Sequence, residues 1–169
     1  PNSPLELHDP FIREARLTAA LEHPNIVPVH DIGINPQGKP YFNMKLLGGE
    51  NLQAILAKLA TADESAISAF SRDVLIEVFL KICDGVAYAH SKGIVHLDLK
   101  PANIQVDEYG QVLVCDWGLA RRLNVQGTCS ADMDGEEING DIPSVEVSLD
   151  NQLKGTPGYM APEQINSEF

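Results

Sequence analysis

From Ser71 to Ser91 the apolar residues Leu75, Val78, Phe79, Ile82, Val86 and Ala89 recur at intervals of three and four. That spacing predicts a helix burying one stripe against a core. Ser71 is placed to cap it, and Lys92–Gly93 ends it. An earlier helix is predicted from Phe11 to Glu22. Asp9–Pro10 forms its start, because proline at a first helical position gives up no needed N–H, and His23–Pro24 closes it. Two strand-like runs follow, Ile26–Gly33 and Pro40–Leu47, around the turn residues Asn35–Pro36–Gln37–Gly38, so a β-hairpin is expected. After the break at Gly48–Gly49, Glu50 to Ala60 reads as a short amphipathic helix. Thr61 to Ala69 is small and polar and reads as a loop. Ile104–Val106 and Val112–Val114 are predicted as short strands about the turn Asp107–Gly110. No internal repeat is visible.

Composition narrows the class. The chain has 169 residues, 44% hydrophobic and 21% charged, the balance of a protein that buries one core. No apolar run is long enough to span a bilayer and no signal peptide opens the chain, so a cytoplasmic protein is expected. A formal charge of −12 argues against a nucleic-acid-binding surface, which needs clustered Lys and Arg. The three cysteines, Cys83, Cys115 and Cys129, are too scattered for a disulfide framework or a zinc site. Cys83 and Cys115 stand in apolar stretches and read as core residues. Between Gly127 and Asn151 the composition turns acidic, with Asp132, Asp134, Glu136, Glu137, Asp141, Glu146 and Asp150 and no Lys or Arg. Such a run reads as a solvated loop. Asp132–Met133–Asp134–Gly135 lacks the spacing and closing glutamate of a calcium loop.

Three segments carry the chemistry. His96–Leu97–Asp98–Leu99–Lys100–Pro101–Ala102–Asn103 places an acid, a lysine and an amide within eight residues. Cys115–Asp116–Trp117–Gly118 puts a second acid on the turn after a strand. Gly155–Thr156–Pro157–Gly158–Tyr159–Met160–Ala161–Pro162–Glu163 follows. A loop acid can accept a hydroxyl proton, while an amide and a second acid hold a hard cation against phosphate oxygens. In this order and spacing the segments resemble the catalytic loop, metal-binding turn and closing motif of a protein kinase, specifically a bacterial-type serine/threonine kinase.

The resemblance implies an α+β, bilobal kinase-like fold that is only partly present. Residues 1–47 would be the end of the small β-rich lobe and the hinge. Residues 48–169 would be the first part of the helical large lobe, with the activation segment at 116–163 and the acidic insertion within it at about 127–151. It implies Asp98 and Lys100 as catalytic residues and ATP with Mg²⁺ as cofactors. Asn103 and Asp116 would hold the metal. Met44 would be the gatekeeper and Lys45, Leu46 and Leu47 the hinge around adenine. Gln105 would lie under the ring, where an apolar residue is usual, either weakening nucleotide binding or turning its amide aside. Glu14, in Arg13–Glu14–Ala15, would pair with the ATP-binding lysine. Read without the resemblance, Glu14 is a helix-surface carboxylate and Lys45 a surface lysine. His96 would brace the loop and the metal turn, and Thr156 would bond back to Asp98 and Lys100. With Lys100 it points to serine or threonine of a protein substrate as the acceptor.

Two residues depart from the usual pattern. Trp117 replaces phenylalanine in the metal turn and brings an N–H that needs a partner if buried. Leu97 replaces the arginine that normally pairs with a phosphorylated activation-loop residue, so independence from that switch is expected. The Gly-rich loop and strand lysine do not appear, the first methionine is Met44 and the C-terminal end is abrupt. The chain therefore reads as a fragment, inactive alone, of a parent whose membrane anchor, if it has one, lies outside these residues. A pseudokinase scaffold and a small-molecule phosphotransferase are the alternative readings. Asp98, Asn103 and Asp116 together argue against the first, and Lys100 with the Gly155–Glu163 motif against the second.

Overall fold

The computed structural model describes residues 10–122 and 155–165. Helix α1 (Pro10–Ala19) begins on the proline and stops before the expected Glu22. Its last turn tightens as Ala20 N–H bonds both Arg16 and Leu17 carbonyls and Leu21 N–H bonds Thr18, which swings Leu21 into the core. Strands β1 (Val29–Ile34) and β2 (Pro40–Met44) form the expected antiparallel hairpin. The Asn35 side chain accepts the N–H groups of Gln37 and Lys39, so the turn is made by the residue type that favours it. Helix α1 lies against this hairpin, with Phe11 and Phe42 rings 4.8 Å apart.

Beyond the hairpin, β3 (Glu50–Asn51) enters α2 (Leu52–Ala60), whose first turn is capped by Asn51. The two residues expected to open the helix belong instead to a strand, because they pair with Gln105 and Val106. Residues 64–69, expected within a loop, form α3 (Glu64–Ala69), capped by Asp63 and pinned by buried Ala66. Capping chemistry and helix-forming alanines outweigh the polar composition there.

Helix α4 (Arg72–Ser91) has the expected Ser71 cap. Val78, Ile82 and Ala89 are buried, but Phe79 is 63% exposed. One residue further round the helix, it leaves the stripe that Val78 occupies. Cys83 is exposed, not a core residue. Strand β4 (Ile94–Val95) is followed by a 3₁₀ turn (Pro101–Asn103). Strands β5 (Ile104–Val106) and β6 (Val112–Val114) then stand at the positions the pattern predicts. The order β3-β5-β6 makes a three-stranded antiparallel sheet, and β4 pairs with β7 (Arg121–Arg122). A 3₁₀ turn (Pro157–Tyr159) and α5 (Pro162–Ile165) complete the described residues.

The core joins α4 to β5 and β6 and to the segment between α1 and β1. Ile26 bridges Val114, with Val27 N–H on the Val114 carbonyl at 3.1 Å and Val114 N–H on Asn25 at 2.8 Å. Gly85 of α4 lets this segment approach: a Cβ there would lie 3.0 Å from the Asn25 carbonyl oxygen. This packing sets strand β6, and hence Asp116 beyond it, relative to α1 and the hairpin.

Candidate active site

The loop after β4 is built on a buried histidine. The Cys115 carbonyl can only accept, so the His96 Nε2 that meets it at 3.1 Å carries the hydrogen. Nδ1 is then free to accept the Asp98 N–H at 3.3 Å. Burial holds the imidazole below its ordinary pKa, in the neutral form these two bonds require. The Cys115 N–H in turn donates to the Asn103 carbonyl at 2.8 Å. Both backbone groups of Cys115 are thus committed to the 96–103 loop, and Asp116, the next residue, is tied to it. The expected bracing role of His96 has this geometry.

Asp98 sits at the centre of a polar cluster. Lys100 Nζ donates to its Oδ2 at 2.6 Å and Thr156 Oγ1 to its Oδ1 at 2.7 Å, and Lys100 also donates to Thr156 Oγ1 at 2.8 Å. Asn103 Nδ2 donates to the Asp98 carbonyl at 2.9 Å. Burial pushes the Asp98 carboxyl up, but the bonds from Lys100 and Thr156, the Lys100 charge and the Asn103 amide outweigh it and hold the group below the usual aspartate value. Asp98 is therefore an ionised acceptor at neutral pH.

Two residues here hold positive φ without being glycine: Leu97 at 65° and Asp116 at 60°. Each costs about 1–2 kcal/mol against right-handed backbone, strain of the kind that gathers at functional sites. Trp117 is 1% exposed and packs against His96 with ring centroids 4.6 Å apart and planes tilted by 50°, and its Nε1–H donates to the Val114 carbonyl at 3.3 Å. Its indole N–H has the partner that burial demands.

Glu14 points from α1 toward the metal turn. A Cβ on Gly118 would come 3.0 Å from Glu14 Oε2 and 3.4 Å from Asp116 Oδ1, so the metal turn passes in close contact with the Glu14 carboxylate. Burial, and then the Asp116 charge, push the Glu14 carboxyl up. It is no free surface carboxylate. Glu14, Phe42, Met44, Cys115, Asp116 and Trp117 line a cavity of about 310 Å³. Burial, then Asp116, raise the Cys115 thiol to about 11, so Cys115 stays an unreactive thiol.

Of the expected hinge, Met44 faces this cavity, Leu47 packs on the core and Leu46 is 92% exposed. Lys45 Nζ is held by the Gln111 side chain, so it is not a plain surface lysine. Gln105 turns its amide aside, donating to the Gly48 carbonyl at 2.8 Å. For a divalent cation the available donors are the Asp116 carboxylate and the Asn103 amide oxygen. These hard oxygen ligands fit such an ion. The acidic run 127–151 lies outside the described residues.

One contact was not legible in the sequence. Gln164, just past Glu163, donates from Nε2 to the Leu97 carbonyl at 2.8 Å and accepts the Ala161 N–H on Oε1 at 3.1 Å. Nothing but its place beside the closing motif marks it.

A family model described as "Protein kinase domain" matches residues 3–168. The chain belongs to the protein kinase family, and its fold is a partial kinase-like α+β fold. It is similar to the "Serine/threonine-protein kinase PknD" of Protochlamydia amoebophila, with 34% identity over 163 residues, 91% of this chain and 16% of that protein. The protein of the same name from Chlamydia trachomatis serovar D is 33% identical over 172 residues, 94% of this chain and 18% of that protein. Both are bacterial, in keeping with the bacterial-type resemblance of the motifs. A chain from the crystal structure of the yeast RNA Pol II CTD kinase CTDK-1 complex superposes with TM-score 0.60 at 25% identity. That match covers 74% of this chain and 38% of the other. The chain spans less than a fifth of the length of these curated relatives. Among the described residues no helix is long and apolar enough to cross a membrane.

Proposed function

We propose that the protein carrying this chain is a serine/threonine protein kinase that moves the γ-phosphate of ATP to a Ser or Thr hydroxyl of a protein substrate. The observation that carries the reading is the ionised Asp98 carboxylate, held between Lys100 and Thr156 on a loop bonded through Cys115 to the Asp116 turn. Asp98 orients the acceptor hydroxyl and takes its proton as the oxygen–phosphorus bond forms. Lys100 faces the charge on the transferring group as a compact cation. Asn103 and Asp116 would hold Mg²⁺, which would neutralise phosphate charge when bound. On this reading Glu14 pairs with the ATP-binding lysine, and Met44, Leu46, Leu47 and Gln105 border the adenine. The division at 47/48 and the activation segment 116–163 belong to the same reading, as does a cytoplasmic location, where ATP is supplied.

The test is Mg²⁺-dependent phosphorylation of a protein substrate by the intact protein. Asp116→Ala and Asp98→Asn should each lower turnover by about a thousandfold or more. An intact protein without turnover would replace this reading with that of a scaffold.

A further inference from the structure

The Leu97–Asp98 peptide is gripped at both of its polar ends. Its N–H, on Asp98, is taken by His96 Nδ1 at 3.3 Å. Its carbonyl, on Leu97, is taken by Gln164 Nε2 at 2.8 Å. The first grip comes from within the loop and the second from α5, 67 residues further along the chain. The orientation of the Gln164 amide is not open to choice. The Leu97 carbonyl can only accept and the Ala161 N–H can only donate, so nitrogen must face the one and oxygen the other. The same carbonyl is approached from Gly155, where a Cβ would lie 2.9 Å from it. The peptide so held is the one whose plane sets the direction of the Asp98 side chain, and Leu97 sustains it at a φ of 65°, which backbone preference alone would not keep.

We propose that Gln164 is a positioning residue: its amide locks the Leu97–Asp98 peptide plane and so aims the Asp98 carboxylate. The inference rests on the reading of Asp98 as the group that receives the hydroxyl proton. It also defines how the end of the activation segment is coupled to the catalytic loop in this chain. Gln164 meets the Leu97 backbone carbonyl with a neutral donor, a contact that does not use the side chain at position 97. That contact contains no phosphoryl group.

The test uses the intact protein and three variants. Gln164→Glu keeps the acceptor for Ala161 N–H but deletes the donor to Leu97. Gln164→Lys keeps a donor and deletes the acceptor. Asp98→Asn tests the underlying reading. Misaiming a reacting group costs on the order of ten- to a hundredfold in rate, so Gln164→Glu should lower kcat in that range. Its KM for ATP and its melting temperature should stay near those of the parent, and Gln164→Lys should recover most of the lost kcat. Equal losses in the Glu and Lys variants, or a loss that tracks a fall in melting temperature, would assign Gln164 to the stability of α5 and overturn the inference. An unchanged kcat in Gln164→Glu would overturn it as well. If Asp98→Asn keeps full turnover, the reading of Asp98 itself is what fails.

Discussion

Replacing Thr156 by valine tests the polar cluster most directly, because valine keeps the branched shape and exchanges the hydroxyl for a methyl that can neither donate nor accept. That hydroxyl donates to Asp98 at 2.7 Å and accepts from Lys100 at 2.8 Å. Hydrogen bonds to charged groups contribute about 1.5–3 kcal/mol each. Lys100 keeps its own bond to Asp98 at 2.6 Å, and the two side chains are 22% and 10% exposed, so water restores part of what is lost. The net cost to folding should then be about 1.5–2 kcal/mol, read as a shift of the urea midpoint at constant slope. The pH dependence has a definite sign. The folded-state pKa of Asp98 lies below the unfolded value, so its contribution to stability is complete above the ordinary aspartate pKa and is lost as pH falls through the folded one. Without the Thr156 donor the folded pKa rises toward the unfolded value, and the gap between parent and variant should be widest at neutral pH. On acidification below about pH 4 that gap should narrow. A variant as stable as the parent at pH 7, or a gap that widens on acidification, would refute the account of the cluster.

Two further substitutions probe the frame around the site. Trp117→Phe removes the indole N–H, but the Val114 carbonyl keeps the Val27 N–H at 3.1 Å, so the cost should be about 1–2 kcal/mol by thermal unfolding; a loss above about 4 kcal/mol would mean that the indole does more than fill space and share one acceptor. Gly49→Ala would put a Cβ 2.0 Å from the Val106 carbonyl oxygen at a φ of 72°, whereas Gly38→Ala at 78° meets nothing within 4 Å. The first should cost more than about 3 kcal/mol by displacing β3 from β5, and the second only the 1–2 kcal/mol of the backbone conformation. Equal melting temperatures for the two variants would contradict the packing described at Gly49.

Local chemistry made much of this protein legible in its sequence. Ser71 and the three-four spacing behind it defined α4, Asn35 and Gly38 the hairpin turn, and the runs 104–106 and 112–114 their strands, because capping, period and turn preference act over a few residues. The motifs around Asp98, Asp116 and Thr156 marked the family for a similar reason: the spacing of chemical groups survives in one dimension. Where a decision belongs to contacts distant in sequence, the local pattern does not carry it. Glu50 and Asn51 are strand because Gln105 and Val106 are there to pair with them. Phe79 and Val78 fit the same helical pattern, and only the position of the core decides which is buried. The direction of the Gln105 amide and the grip of Gln164 on Leu97 each depend on a carbonyl brought close by folding. Sequence determined which groups this protein has and the elements that carry them; tertiary structure decided which of them meet, because a hydrogen bond needs its partner within about 3 Å and the chain's order does not encode that distance.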